Sequence, residues 1–307
     1  MAHLIDLSNH RANMAYVGKV PWHGLGQQLT EGAPLEIWAR EAGMDFAIDE
    51  SPVIFQHGDQ VGLMNDRRVL FRDDTNTPLA VVSDRFKVVQ PLEVLEFFRD
   101  LVGKAGDYEL ETAGVLDGGR KYWALAKYKD QLNFGGDIVK PYLQVATAID
   151  GSMNTIANET TIRTVCNNTL KMSLRDQNNM IKVRHTSVFD AASVKRELGV
   201  IETINDFKAD VEALINKAIS HKQAVEVFVE LVAKRDNKGD LSNEKAVKRV
   251  VSEIMASLIS GPGANLETAN GTAWGALNAV TLQRCLGWVV SNEIFKQKIA
   301  AGYRKLA

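Results

Sequence analysis

The sequence predicts an α+β fold in which an antiparallel β-meander packs on helices and a mostly helical part follows. Three observations predict it. Four extended runs alternate with tight-turn signals between residues 108 and 161, apolar residues recur at helical spacing after Pro91, and helical periodicity is nearly continuous after Phe189. The length of 307 residues suits one large or two medium domains, which we place at residues 1–198 and 199–307.

The first 90 residues are predicted to form a loop, then a helix, then strands. Residues 13–28 are rich in glycine and aromatic side chains and are predicted to be a loop. Pro34 occupies a favourable first-turn position for a short amphipathic helix. Strand-like runs with turn signals between them follow at residues 52–55, 69–71 and 79–82.

The meander is the most regular part of the pattern. Its four strands are predicted at residues 108–116, 121–129, 142–149 and 155–161. Asp117-Gly118-Gly119 supplies a hairpin turn between the first two strands. The last strand leads into a helix predicted over residues 163–175. Further helices are predicted at residues 189–216, 221–234, 243–259 and 272–303.

The composition excludes several classes of protein. Hydrophobic residues make up 45% of the chain and charged residues 24%, which are globular proportions. The net charge of −2 means that a nucleic acid would bind to a local patch rather than to a general basic field. Two cysteines suit a reducing compartment, and neither a signal-peptide pattern nor an apolar run of about 18 residues is present. We therefore expect a cytoplasmic protein without a membrane partner.

A basic stripe is predicted on the helix that follows the meander. Its members recur every four residues: Arg163, Asn167, Lys171 and Arg175. Lys182, Arg184 and His185 come next in the chain. Residues 161–197 contain seven basic and three acidic residues, whereas residues 1–60 carry a net charge of −5. The stripe would hold a phosphate backbone, or it would be an ordinary solvated helix face.

Two further clusters combine aromatic and basic side chains: Trp123 with Lys127 and Lys129 on one face of the second meander strand, and Phe86 with Arg85 and Lys87. Aromatic residues between lysines are typical of surfaces that follow a single strand and stack on its bases, with Trp123 and Phe86 as the stacking candidates. The alternative is a half-buried strand with lysines at its rim.

The sequence contains fewer signals for a catalytic site than for a nucleic-acid-binding surface. Cys166 and His185 would form a nucleophile and its base, but Cys166 lies among apolar positions, where a buried structural thiol is the alternative. The histidines show no metal-ligand spacing, and the chain contains neither a dinucleotide fingerprint nor a phosphate-binding loop. An unfamiliar active site around Asn167, Asn168 and His185 stays open as a third function. We expect no enzyme, no metal and no cofactor.

Five stretches of the sequence resemble a phage- and plasmid-borne family known as domain of unknown function 932. In chain order they are Trp22–Gly26, Ala80–Pro91, Arg163–Leu170, Val183–Thr186 and Thr272–Thr281. The sequence departs from the family pattern after Thr281, where an aromatic residue and an acid–histidine pair often follow and Leu282-Gln283-Arg284 stands instead.

The resemblance implies a mobile-element origin and a relation to single-strand annealing recombination proteins. In those proteins a hairpin-rich antiparallel sheet precedes a helix that lines a basic, ring-forming DNA groove. We therefore expect an annealing-protein-like core in a phage or plasmid protein that binds and anneals single-stranded DNA as a ring or helical homo-oligomer. A partner nuclease or strand-binding protein is a further candidate partner.

Charge neutralisation would hold the DNA backbone without bond cleavage. The DNA-binding candidates are Arg85, Lys87, Lys127, Lys129, Arg163, Asn167, Lys171, Arg175, Lys182, Arg184 and His185. The alternative function is a non-enzymatic host-interaction or regulatory protein of a mobile element, with the helical C-terminal part as its docking surface.

Overall fold

The structure is a computed structural model that describes residues 3–102, 106–130, 132–174, 180–198, 202–233 and 243–285. These residues form two compact units. The first unit comprises residues 3–130 and 140–198, and the second comprises residues 132–139 and 202–285. Across the described ranges there are eight α-helices and three β-sheets, which confirms a mixed α and β fold.

A seven-stranded sheet forms the centre of the first unit. Its strands are β1 (Met14–Val17), β2 (Gln27–Leu29), β6 (Tyr108–Leu116), β7 (Lys121–Tyr128), β10 (Tyr142–Ala148), β11 (Thr155–Thr160) and β12 (Met180–Val183). They lie in the order β12-β11-β10-β7-β6-β1-β2, and every pair except β1–β2 is antiparallel. The predicted meander is confirmed as β6, β7, β10 and β11.

Residues 13–28 are not the continuous loop that the sequence predicts. Strand β1 adds to the edge of the meander beside β6, and β2 pairs with β1 in parallel. All four residues of β1 are buried, so the strand has no alternation of apolar and polar residues to reveal it. Gly26 precedes β2 at φ 106°, where a Cβ would lie 2.9 Å from the Met14 carbonyl oxygen. A glycine is therefore needed for this close approach.

The first unit also contains a three-stranded sheet and four helices. The strands are β3 (Ile48–His57), β4 (Gln60–Arg72) and β5 (Pro78–Ser83), in the order β3-β4-β5. The helices are α1 (Leu35–Glu41), α2 (Pro91–Glu96), α3 (Asn167–Ser173) and α4 (Ala191–Leu198). Helices α1 and α2 confirm the predictions made from Pro34 and Pro91, and β3 to β5 confirm the three strand-like runs.

Both faces of the meander are covered. On one face, Trp123 and Leu125 pack in a cluster with Cys166 and Leu170, which lie at and within α3. On the other face, the Tyr122 hydroxyl donates a hydrogen bond to the Val89 carbonyl oxygen, just before α2. The central strand β7 is consequently buried from residue 122 to residue 126.

The second unit is helical except for one hairpin. Its elements are β8 (Leu132–Phe134), β9 (Asp137–Val139), α5 (Glu202–Ile215), α6 (His221–Val232), α7 (Glu244–Ser260) and α8 (Ala273–Cys285). Phe134 of the hairpin packs with Val211 and Trp274, and Trp274 Nε1 donates to Asp137 over 2.6 Å. The helical C-terminal part is thus confirmed over these ranges, and the continuation of its last helix to residue 303 falls outside the described residues. In the part of the chain that the structure describes, no helix has the length and apolar character needed to cross a bilayer.

Candidate nucleic-acid interface

Two basic clusters that are far apart in the sequence meet in the first unit. The Lys87 backbone N–H donates to the His185 carbonyl oxygen over 2.5 Å, and His185 Nδ1 lies 3.1 Å from the Lys87 carbonyl oxygen. The rings of Phe86 and His185 stack, with centroids 4.3 Å apart and planes 11° from parallel. The segment before α2 therefore runs beside the segment after β12.

His185 joins these segments from a buried position. His185 is only 8% exposed. Its Nε2 lies 3.1 Å from the carbonyl oxygen of Met153, a residue of the turn between β10 and β11. A neutral imidazole has one N–H, so it donates to one of its two carbonyl neighbours, whereas an imidazolium donates to both. The expectation that His185 contacts DNA is corrected, because both ring nitrogens face backbone carbonyls.

Four exposed basic residues surround this junction and form what we call the basic patch: Arg85, Lys87, Lys182 and Arg184. Strand β12, which carries Lys182, is an edge strand of the seven-stranded sheet. Within the described ranges, no ion pair involves Arg85, Lys87 or Arg184. Positive charge that is exposed and not neutralised by a neighbouring carboxylate is suited to an anionic partner.

The helix after the meander does not present the predicted stripe. Helix α3 begins at Asn167 and ends at Ser173, so Arg163 precedes it. The helix starts at this point because the Cys166 N–H donates to Thr169 Oγ1 over 3.0 Å, which caps its first turn. Asn167 is 5% exposed and unavailable to DNA, whereas Lys171 is exposed. Arg175 lies outside the described residues.

Arg163 is held by the interior of the first unit. Its guanidinium donates to the carbonyl oxygens of Lys19 and Val17 over 2.7 and 2.9 Å. Its Nε lies 2.5 Å from Glu111 Oε1, an ion pair without the alignment of a hydrogen bond. Arg163 therefore ties the entry of α3 to the end of β1, and the expectation that it holds phosphate is corrected.

Replacing Arg163 by glutamine is expected to lower the free energy of unfolding by about 2 kcal/mol, because Glu111 stays buried without its charged partner. Any affinity of the protein for DNA should keep its salt dependence, because Arg163 faces the interior and not a ligand. Urea denaturation and a salt titration of DNA affinity measure the two effects. Lys171→Gln is the matched control from an exposed helix position and should cost less than about 0.5 kcal/mol.

Lys127 and Trp123 of β7, and Lys129 just after this strand, also have partners within the first unit. Lys127 Nζ lies 3.6 Å from Glu109 on the neighbouring strand, and Lys129 Nζ donates to the Gly106 carbonyl oxygen. Trp123 is fully buried, and its Nε1 donates to Thr112 over 3.2 Å. Trp123 is therefore a core residue, which corrects its assignment to base stacking. The half-buried lysines match the alternative of a strand rim.

Cys166 and His185 do not form a nucleophile–base pair. Cys166 is fully buried in the cluster beneath α3, and its Sγ lies 3.5 Å from Thr169 Oγ1. Both nitrogens of His185 are occupied by carbonyl oxygens. The third function considered from the sequence also required Asn167 and Asn168, of which the first is buried and the second exposed. In the described part of the chain no group of three or more histidine, cysteine or acidic residues is arranged to hold a metal ion.

Comparison with known protein families identifies the family to which the chain is similar. A family model described as "Domain of unknown function (DUF932)" matches residues 78–284. No curated protein and no solved structure matches the chain. The matched range contains both halves of the basic patch.

Proposed function

The chain belongs to the DUF932 family, and from this premise we propose that its basic patch binds single-stranded DNA. The observation that carries the proposal is the junction of Lys87 with His185, because it unites basic clusters that lie about a hundred residues apart. Four exposed cations at one junction favour a polyanion. Neutralising phosphates releases condensed counterions, which is the main source of affinity in such complexes.

Phe86 favours a single strand over a duplex. One face of its ring stacks on the buried His185, and the residue itself is half-buried beside the patch. A base stacked on Phe86 would extend this existing stack, and only unpaired bases are free to do so. The patch would thus follow the backbone while Phe86 contacts a base.

Annealing and self-association complete the proposal. A protein that holds the strand through phosphates leaves most base edges free to pair with a complementary strand. Annealing is also the activity that the sequence analysis expects from the family's relation to annealing recombination proteins. We propose that several copies act together along the strand, since one patch contacts only a few nucleotides.

The test is the double variant Lys87→Gln/Arg184→Gln. Its affinity for labelled oligothymidylate, measured by fluorescence polarisation, is expected to fall about 25-fold at 0.1 M salt. The slope of log affinity against log salt should shrink by about 1.4, because each of the two substitutions removes one phosphate neutralisation and each contributes about 0.7. A duplex of equal length should bind more weakly than the single strand.

The matched control removes two exposed lysines elsewhere, in Lys19→Gln/Lys245→Gln. Lys19 follows β1 near the opposite edge of the sheet, and Lys245 is in the second unit. Equal losses of affinity in the two double variants would show that net charge matters and the patch does not. An absence of DNA binding by the wild-type protein at low salt would reject the proposal and favour the regulatory alternative.

A further inference from the structure

The β3–β4 hairpin extends past its sheet as a two-stranded arm. Strand β5 pairs with residues 67–71 of β4 and goes no further along it. Residues 53–64 are therefore paired only within the hairpin in the described ranges. A register shift between Pro52 and Val53 marks the base of this segment. We call residues 53–64 the β-arm.

The β-arm exposes large apolar side chains on both of its faces. Ile54, Phe55, Val61, Leu63 and Met64 are between 40% and 70% exposed. Residues directly opposite each other share a face, so Ile54, Val61 and Leu63 lie on one face and Phe55 and Met64 on the other. Antiparallel strands at the surface of a monomer commonly present a polar face to water. Neither face of the β-arm does so.

The edges of the β-arm also lack the features that prevent strands from pairing with other chains. Residues 53–65 contain no lysine, arginine, glutamate or proline, and their single carboxylate, Asp59, is in the turn. Natural sheets discourage edge contacts with charged residues, especially lysine, and with proline. The composition of the β-arm therefore favours contact with another polypeptide and gives it little attraction for DNA phosphates.

We infer that the β-arm is a self-association surface whose occupant is the β-arm of a second copy of this chain. Two arms in contact through the face of Ile54, Val61 and Leu63 would remove the exposed parts of six apolar side chains, three from each copy, from water. A two-fold contact brings the same surface of each copy together. The near-neutral β-arm meets its own copy with little like-charge repulsion. The inference rests on the self-association included in the proposed function.

The double variant Ile54→Lys/Leu63→Lys tests the contact. Both residues lie on one face of the β-arm, and two lysines per copy would meet two from the second copy. Sedimentation of the full chain without DNA is expected to show a wild-type dimer at micromolar concentration. In the variant, self-association should weaken about 30-fold or more, and the melting temperature should change by less than about 2 °C because the sites are exposed.

The matched control is Val20→Lys/Ile259→Lys, which places lysines at exposed apolar positions outside the β-arm. Its self-association should equal that of the wild-type protein. A wild-type protein that is monomeric without DNA overturns the inference, and so does a dimer that both double variants weaken equally. DNA binding by the basic patch is measured separately by polarisation, so failure of one proposal does not imply failure of the other.

A cross-linking measurement gives an answer that does not depend on the lysine variant. Leu63→Cys places a thiol on the β-arm, and a short bis-maleimide should join two copies of this variant in high yield. Val20→Cys is the exposed control, and the wild-type protein measures the background from its own cysteines. Equal yields from both variants would overturn the arm-to-arm contact.

Discussion

Replacing Arg72 by methionine is expected to destabilise the first unit by about 3–5 kcal/mol, the usual cost of removing one member of a buried charge network. Arg72 is 2% exposed at the end of β4. It contacts Asp6 over 2.9 Å and both oxygens of Asp74 over 2.8 and 2.7 Å. Its guanidinium also lies 3.9 Å from the centroid of the Phe46 ring. The methionine variant would leave Asp6 buried without its cation.

The pKa values of both carboxyl groups are lowered in this network. Burial acts to raise the pKa of Asp6, but hydrogen bonds from Ser8 and Asn13 and the charge of Arg72 lower it overall. The hydrogen bond from Arg72 is the main reason that the pKa of Asp74 is lowered. A carboxyl group with a lowered pKa stabilises the folded protein at pH values above its unfolded pKa of 3.8. This stability is lost as the pH falls below 3.8 and through the folded pKa.

Urea denaturation at neutral pH measures the loss of stability, with Arg67→Met as the matched control. Arg67 pairs with Asp66 at the surface, where the side chains are 42% and 68% exposed, so its removal should cost less than about 1 kcal/mol. The double variant Asp6→Asn/Arg72→Met should recover part of the stability, because it removes the orphaned charge. If Arg72→Met cost no more than Arg67→Met, the network would have no such role.

The meander and the helices could be predicted because their signals are local. Asp117-Gly118-Gly119 forms a turn in which Gly118 adopts a positive φ of 67°, a conformation that glycine favours. Pro91 begins α2, whose cap is made by Gln90 and Glu93. Strand β1 and the β8–β9 hairpin were missed because short segments carry too little periodicity to stand out from loops.

The candidate site could be predicted only in part, because charge patterns do not reveal partners. Arg163 and Arg184 look alike in the sequence, yet Arg163 is tied to Glu111 and the end of β1 while Arg184 is exposed beside the buried His185. The contact of Lys87 with His185 depends on strand order, which no local pattern specifies. One signal was present in the sequence, since both residues lie in stretches that carry the family resemblance.

The hydrogen bonds that position α3 on the sheet could not be predicted from the sequence either. Gln144 of β10 accepts hydrogen bonds from Thr164 and from Ser173 of α3, and it donates to Asn158 of β11 over 3.2 Å. All four residues are buried. Buried polar side chains need complete partners, so this network fixes the position of α3 on the sheet. From the sequence these residues are indistinguishable from surface polar residues.

Glu159 is an ionisable group on β11 whose charged form is destabilised by burial. It lies opposite Leu143 on the sheet, and its buried Oε1 has no hydrogen-bond partner in the described ranges. Burial raises the pKa of Glu159 to about 7. The neutral acid of Glu159 therefore predominates in the folded protein at pH values below about 7. Burial, followed by the charge of Glu159, also raises the pKa of the Tyr108 hydroxyl.

Glu159→Gln is expected to remove a pH-dependent loss of stability. Because the folded pKa of about 7 exceeds the unfolded value of 4.5, the contribution of Glu159 is fully present below pH 4.5 and lost as the pH rises through 7. The stability of the variant relative to the wild-type protein should rise by about 2–3 kcal/mol between pH 5 and pH 8. Comparing two pH values cancels the constant cost of burying the glutamine amide.

Urea denaturation at both pH values measures the change in stability. The matched control is Glu31→Gln at an exposed position, which should shift stability by less than about 0.5 kcal/mol at either pH value. A relative stability that does not change between the two pH values would mean that Glu159 is solvated in the folded protein.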